Sequence, residues 1–174
     1  MEEQQMMAVL QGRRSIRRFS AQPLARELLT QLVVAACWAP SGSNAQAWQY
    51  VAVDDPEKLA RLTAFLPGVL APPPALICLC LDRERETARA GQLGEEVLGV
   101  MDLSMAAQNI MLYAHCLGLG SCAVRGFHPT VVRTALALPP QVTPELIIVL
   151  GYPAQQPKAP ARRPLEEVLH WNVY

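Results

Sequence analysis

ALICLCL, residues 75–81, is the stretch from which the fold is read. Its apolar residues run without a break over a strand's length, and Pro72, Pro73 and Pro74 just before them lack the donors that a ladder needs. A strand with no polar alternation must be buried on both faces, so this one is expected at the centre of a sheet, with cover on either side. Cys78 and Cys80 fall on one face of it. The segment PGVLAPPP, 67–74, is expected to be irregular.

Working outward from this strand, residues 48–53 read as a second strand, and Asp54-Asp55-Pro56 opens a helix over 57–65. On the other side, 82–92 is polar and expected to be exposed, helical or loose. The longest helix follows, at about 93–117. Leu98, Met101, Met105, Leu112 and Cys116 make one stripe on it, and Val97, Ile110, Met111 and Ala114 fill much of the remaining circumference. A helix apolar nearly all round must be covered on nearly all sides, and a second subunit is one expected cover. Residues 118–124 lead into a short strand, 128–138 form a helix stopped by Pro139 and Pro140, and 145–150 form another buried strand. Near the N-terminus, 4–11 read as a helix ended by Gly12, and 24–38 as a helix stopped by Pro40. Residues 39–47, APSGSNAQA, form a loop. The tail 152–174 is punctuated by proline until Leu165, has little core pattern, and is expected to reach a neighbouring subunit. With no internal repeat and no linker, 1–174 reads as a single domain.

Apolar residues make up 51% of the 174 and charged residues only 17%, with a formal net charge of zero. So apolar a composition points to surface buried in an oligomer, and zero net charge argues against a general nucleic-acid binder. The acidic start MEEQQMMAVLQG lacks the layout of a signal peptide, and Asp102, Gln108, Asn109 and His115 interrupt the most apolar helix, which disfavours a membrane span. Five cysteines without a paired framework suit a reduced, cytoplasmic protein.

Chemistry is concentrated in GRRSIRRF, 12–19, where Arg13, Arg14, Arg17 and Arg18 surround Ser15. Guanidinium forks grip phosphate oxygens two at a time, and in an extended chain Arg13, Ser15 and Arg17 share a face. The same run also suits the solvated cationic end of a helix. Cys78-x-Cys80 lacks a second pair, so no metal site is expected, and His115 reads as a core histidine. No G-x-S-x-G elbow or phosphate-binding P-loop occurs, and the glycines at 118, 120 and 126 have the wrong spacing for a Rossmann crossover. Three polar clusters remain: the arginine run, residues 41–46, and Lys158 with Arg162 and Arg163. With Trp48 nearby, they suit a ligand carrying a phosphate at one end and a flat polar ring at the other.

RRSIRRF at 13–19, APSGSNAQAW at 39–48, GLGSC at 118–122 followed by Gly126, and RRPLEEVLHW at 162–171 together resemble the nitroreductase family of flavoproteins, in the family's order and over nearly the whole chain. The resemblance implies an α+β sandwich with a mostly antiparallel central sheet flanked by helices, in an intertwined homodimer with FMN at the interface and 152–174 as an arm reaching the partner. It implies that Arg13, Arg14, Ser15 and Arg17 hold the phosphate and ribityl chain, and that Arg162 closes on the phosphate. Pro40, Ser41, Ser43, Asn44 and Gln46 approach the ring from the partner subunit, while Val124, Arg125 and Gly126 lie near it with a backbone N–H toward its N5. Two departures stand out: Ala47 occupies a position where the family usually has proline, and 67–74 offers no amide or lysine side chain to the ring. The implied activity is electron transfer from NADH or NADPH to a nitroaromatic, a quinone or a similar acceptor by a ping-pong route. The alternatives are a flavoenzyme of the same fold with a dedicated acceptor, a dehalogenase or dehydrogenase, and a flavin-binding dimer without turnover.

Overall fold

The computed structural model of the chain describes residues 3–69 and 71–174. In chain order the elements are α1 (Glu3–Gly12), α2 (Arg26–Cys37), β1 (Trp48–Val53), α3 (Pro56–Thr63), β2 (Ala75–Asp82), α4 (Arg83–Leu93), α5 (Gly99–Cys116), β3 (Gly120–Val124), α6 (Pro129–Ala135) and β4 (Val142–Gly151). One π-helical turn, Gly94–Leu98, joins α4 to α5. The four strands form one antiparallel sheet in the order β1-β2-β4-β3.

ALICLCL is an interior strand, as its uninterrupted apolar run requires, and every residue from Ala75 to Leu81 is buried. Its two faces feed two cores. On one side Ile77, Leu79 and Ile148 pack with Leu29 and Leu32 of α2 and Leu103, Ala106 and Ile110 of α5. On the other, Leu76, Cys78, Cys80 and Val149 pack with Leu59 and Leu62 of α3 and Val132 of α6. The result is the expected α+β sandwich with an antiparallel sheet. Asp55 accepts the Lys58 N–H at the start of α3. Among the described residues of 67–74 no helix or strand forms; Leu70, and Met1 and Glu2 of the acidic start, lie outside the described residues.

Three expectations are corrected. The buried stripe of α5 is Leu103, Ala106, Ala107, Ile110 and Ala114, whereas Met101, Met105 and Cys116 are exposed and Leu98 and Leu112 half-buried. Small side chains let the helix approach the sheet closely, and that requirement outweighs the size of the methionines. The polar run 82–92 is helical and mostly exposed, but Glu86 within it is fully buried. His115 is half-buried beside Gly12, on the wall of a cavity, and is not a core residue. The helical run Arg83–Cys116 is long and apolar enough to cross a membrane by length and composition alone. It carries buried Glu86 and Asp102, and α5 packs on the sheet as a core helix.

Candidate functional site

The arginine run lies along the outer edge of the sheet. Ser15 bridges in parallel to Ser121 of β3, the Ile16 N–H donates to the Ser121 carbonyl at 2.9 Å, and Ser20 and Ala154 complete a second link, through Tyr152 and Arg18. Ile16 is buried between exposed Ser15 and Arg17, so the alternation of an extended chain is kept. Gly120 makes the approach possible: a Cβ there would fall 2.8 Å from the Cβ and Cγ2 of Ile16. The segment therefore covers an edge strand with backbone and one apolar side chain, and turns its cations outward.

These cations divide between two cavities. Arg13 and Arg14 line one of about 250 Å³ with His115, Gly120, Ser121 and Gln156. Arg17 lines one of about 200 Å³ with Val124, Arg125, Gly126, Cys122 and residues 67–69. Arg14 is already engaged, its Nη1 donating to the carbonyls of Gln11 (2.5 Å) and Arg13 (2.8 Å) at the end of α1. Arg13, Arg17 and Arg162 have no ion pair among the described residues. Arg163 pairs with Glu167 at 3.1 Å. Arg125 reaches Glu145 at 3.5 Å and lies 5.3 Å from the Phe127 ring centroid. The buried Glu145 also takes Arg83 at 2.9 Å and the Thr143 hydroxyl at 2.9 Å. Arg125 and Gly126 both line the cavity.

The loop 41–46 is built the opposite way. Ser43, Asn44 and Gln46 all have positive φ (51°, 50° and 49°), a strained left-handed backbone for residues other than glycine. Side chains hold it there. Both oxygens of Asp102 accept the Gly42 N–H, at 3.0 and 3.2 Å, and Arg85 Nε donates to the carbonyls of Ala45 (2.8 Å) and Gln46 (3.1 Å). The Ser41 hydroxyl accepts the Gln46 N–H at 3.2 Å, and Gln46 Nε2 donates to Asn44 Oδ1 at 2.7 Å. Pro40 is exposed beside the loop; Ala47, at the departure from the family pattern, is buried, and its carbonyl accepts the Asp82 N–H at 2.8 Å.

One chain does not bring the two clusters together. The loop packs at Asp102, near the start of α5, and the arginine run at His115, near its end, about 20 Å away along the helix. The loop leads into β1 and the run follows β3, at opposite edges of the sheet and about 14 Å apart across it. Apolar side chains lie exposed on α5 (Val100, Met101, Met105, Tyr113), at the end of α2 (Trp38, 83% exposed) and on the tail (Trp171, 78% exposed).

Sequence reading did not identify Asp102, Glu86, Arg85 or Glu145 as members of this region. Asp102 alone left a signal, as an acid on an otherwise apolar helix. The buried thiols of Cys78 and Cys80 lie 3.5 Å apart, and their hydrogen bond, with burial, pushes Cys78 up, so it is an inert apolar filler. Among the described residues no group of three or more His, Cys, Asp or Glu side chains is placed to hold a metal ion.

An antiparallel sheet between two helical layers thus carries, among the described residues, arginines without ion pairs along one edge and a strained polar loop at the other. A sequence model of the nitroreductase family matches residues 10–75 and 64–152, and the chain belongs to that family. It is 32% identical to the oxygen-insensitive NADPH nitroreductase of Salmonella typhimurium, over 95% of this chain and 73% of that protein, and 30% identical to an NADH dehydrogenase of Thermus thermophilus, over 92% of each. The structure is similar to that of the NADPH:FMN oxidoreductase from Vibrio harveyi complexed with NAD+, with a TM-score of 0.85, 28% identity, and 97% of this chain and 77% of that one covered. An FMN-dependent nitroreductase from Clostridium difficile superposes with a TM-score of 0.81 at 29% identity, covering 97% of this chain and 100% of that one. The protein is an oxidoreductase of this family.

Proposed function

We propose that the protein is a cytoplasmic, homodimeric FMN enzyme that accepts a hydride from NADH or NADPH and passes electrons to a nitroaromatic, a quinone or a similar acceptor, donor and acceptor visiting one site in turn. The observation that carries this is the separation of the two clusters: each is dressed for a ligand, and they lie at opposite ends and edges of one chain. A two-fold partner brings the loop of one subunit to the arginines of the other, and the exposed apolar faces of α5 and Trp38 supply the contact. The arm 152–174, exposed beyond its link to Arg18, extends this contact across the partner.

The residues present fit FMN. Arg13 and Arg17 are unpaired cations on a backbone scaffold, suited to phosphate, with Ser15 between them and Arg162 arriving on the arm. Arg14 contributes through the shape of the cavity wall, since its fork is held by α1. Val124, Arg125 and Gly126 line the cavity where a ring edge would sit, and a backbone N–H donor from this segment would favour negative charge on the ring. Ser41, Ser43, Asn44 and Gln46 present hydroxyls and amides from the second subunit, beside Pro40. When bound, FMN would supply the hydride and electron chemistry.

Purified protein should be yellow, bleach with NADH or NADPH under anaerobic conditions, and recover its colour on addition of a nitroaromatic. Colourless protein that takes up no FMN would rule the assignment out. Removal of residues 155–174 should convert the dimer to monomer in sedimentation or light-scattering measurements.

A further inference from the structure

Behind the loop 41–46 lies a pair of acids without a task in the chemistry above. Glu86 is fully buried, and neither of its carboxyl oxygens has a hydrogen-bond partner. Glycines make its room: a Cβ at Gly94 would fall 2.8 Å from Glu86 Oε1, and one at Gly99 would fall 3.3 Å from Glu86 Cγ. Asp102 is buried too, but both its oxygens accept the Gly42 N–H. Burial, followed by the Asp102 charge, pushes Glu86 up, and burial pushes Asp102 up against the opposing pull of the Gly42 amide. An ionised carboxylate that is buried with no donor costs more than one that accepts an amide N–H, so the geometry favours Glu86 over Asp102 as the member of the pair that carries a proton.

The surrounding charges are engaged elsewhere. On α4, Arg83 is bound to Glu145 and the Glu95 carbonyl, Arg85 to the loop carbonyls, and Glu84 and Arg89 are exposed. Asp82 at the end of β2 caps α4 through the Arg85 N–H. In the π-helical turn, Glu95 accepts the Thr87 hydroxyl and Glu96 accepts the Gln92 amide. Among the described residues, the Asp102 charge adds to burial in raising Glu86.

We propose that Asp102 is the positioning residue that holds the loop 41–46 in the shape offered to the flavin, and that the buried, unpartnered Glu86 is the protonated member of the pair. The left-handed backbone at Ser43, Asn44 and Gln46 persists because it is pinned at both ends, by Asp102 at Gly42 and by Arg85 at Ala45 and Gln46. Release of the first pin lets the loop relax. The clause concerning flavin rests on the proposed function; the pinning does not.

The experiment has four readouts. In the unmutated protein, the carboxyl carbon resonance of Glu86 should report a protonated acid at neutral pH; an ionised Glu86 overturns the proposal even if every variant fails to fold. Both acids sit above their ordinary values in the native state, so that state binds more protons than the unfolded one. Their contribution to stability is full at acid pH and is lost as pH rises from the ordinary carboxylate range, about 4, through the raised values. The thermal midpoint of the flavin-free protein should therefore fall over this window, and Glu86→Gln, permanently neutral, should flatten that fall; an unchanged slope counts against the pair. Amide exchange of residues 42–46 should quicken about tenfold or more in Asp102→Asn and stay as it was in Glu86→Gln, since loss of a charged hydrogen bond is on this scale. Unchanged exchange in Asp102→Asn overturns the pinning. The FMN dissociation constant should rise about tenfold in Asp102→Asn and little in Glu86→Gln. If the unmutated protein binds FMN and Asp102→Asn binds it equally well, the positioning role fails. If the unmutated protein binds none while the other three results hold, the flavin assignment falls and the pinning stands.

Discussion

The arginine run and the loop 41–46 are two polar segments of similar length held in contrary ways. The run is fixed by its backbone, through the Ser15–Ser121 bridge and the Ile16 amide, and by one buried side chain, so its cations at 13 and 17 are left free. The loop is fixed by side chains and keeps a backbone that is strained at three positions. A segment anchored by backbone can hold out its side chains to a ligand. A segment anchored by side chains has fewer of them to offer, and presents a shape.

The largest effect should come from attacking the scaffold of the run. Gly120→Leu places atoms where Ile16 already sits, so it should cost about 3 kcal/mol or more in denaturant unfolding and abolish tight FMN binding together with stability. Next comes Arg13→Ala, which should weaken FMN binding about tenfold to a hundredfold in a flavin fluorescence titration while leaving the unfolding midpoint in place. Arg14→Ala should do the reverse, lowering stability through the carbonyls of Gln11 and Arg13 and affecting FMN much less; equal losses of affinity in the two variants would erase the distinction drawn between them. The smallest effect is expected at Ser43→Gly. Relief of the left-handed strain and the added freedom of the unfolded chain oppose each other there, so the unfolding free energy should move by less than about 1 kcal/mol.

Much of the fold could be read in advance from individual residues. The unbroken run 75–81 marked the interior strand, Pro72, Pro73 and Pro74 marked the break before it, and Asp55 with Pro56 marked the start of α3. The orientation of α5 could not be read that way. A helix apolar on nearly all sides has no preferred face, and Ala106, Ala107 and Ala114 won the sheet because small side chains allow the closest approach, leaving Met101 and Met105 outside. Glu86 was hidden for a similar reason: it sits among Arg83, Glu84, Arg85 and Arg89, which reads as a solvated face, and only the space left by Gly94 and Gly99 takes it inside. At the candidate site the residue types were legible but not their use, since Arg14 is committed to α1 and Arg125 to Glu145.

By itself the amino-acid sequence determined the family, the strands and the chemistry of three polar clusters, because alternation, breakers and residue type are properties of neighbours along a chain. Only the tertiary structure decided that two of these clusters stand at opposite edges of one sheet, and that a pair of buried acids lies behind the loop. Distances between residues remote in sequence, and the desolvation of a charge, exist only once the sheet has been assembled and its layers have closed.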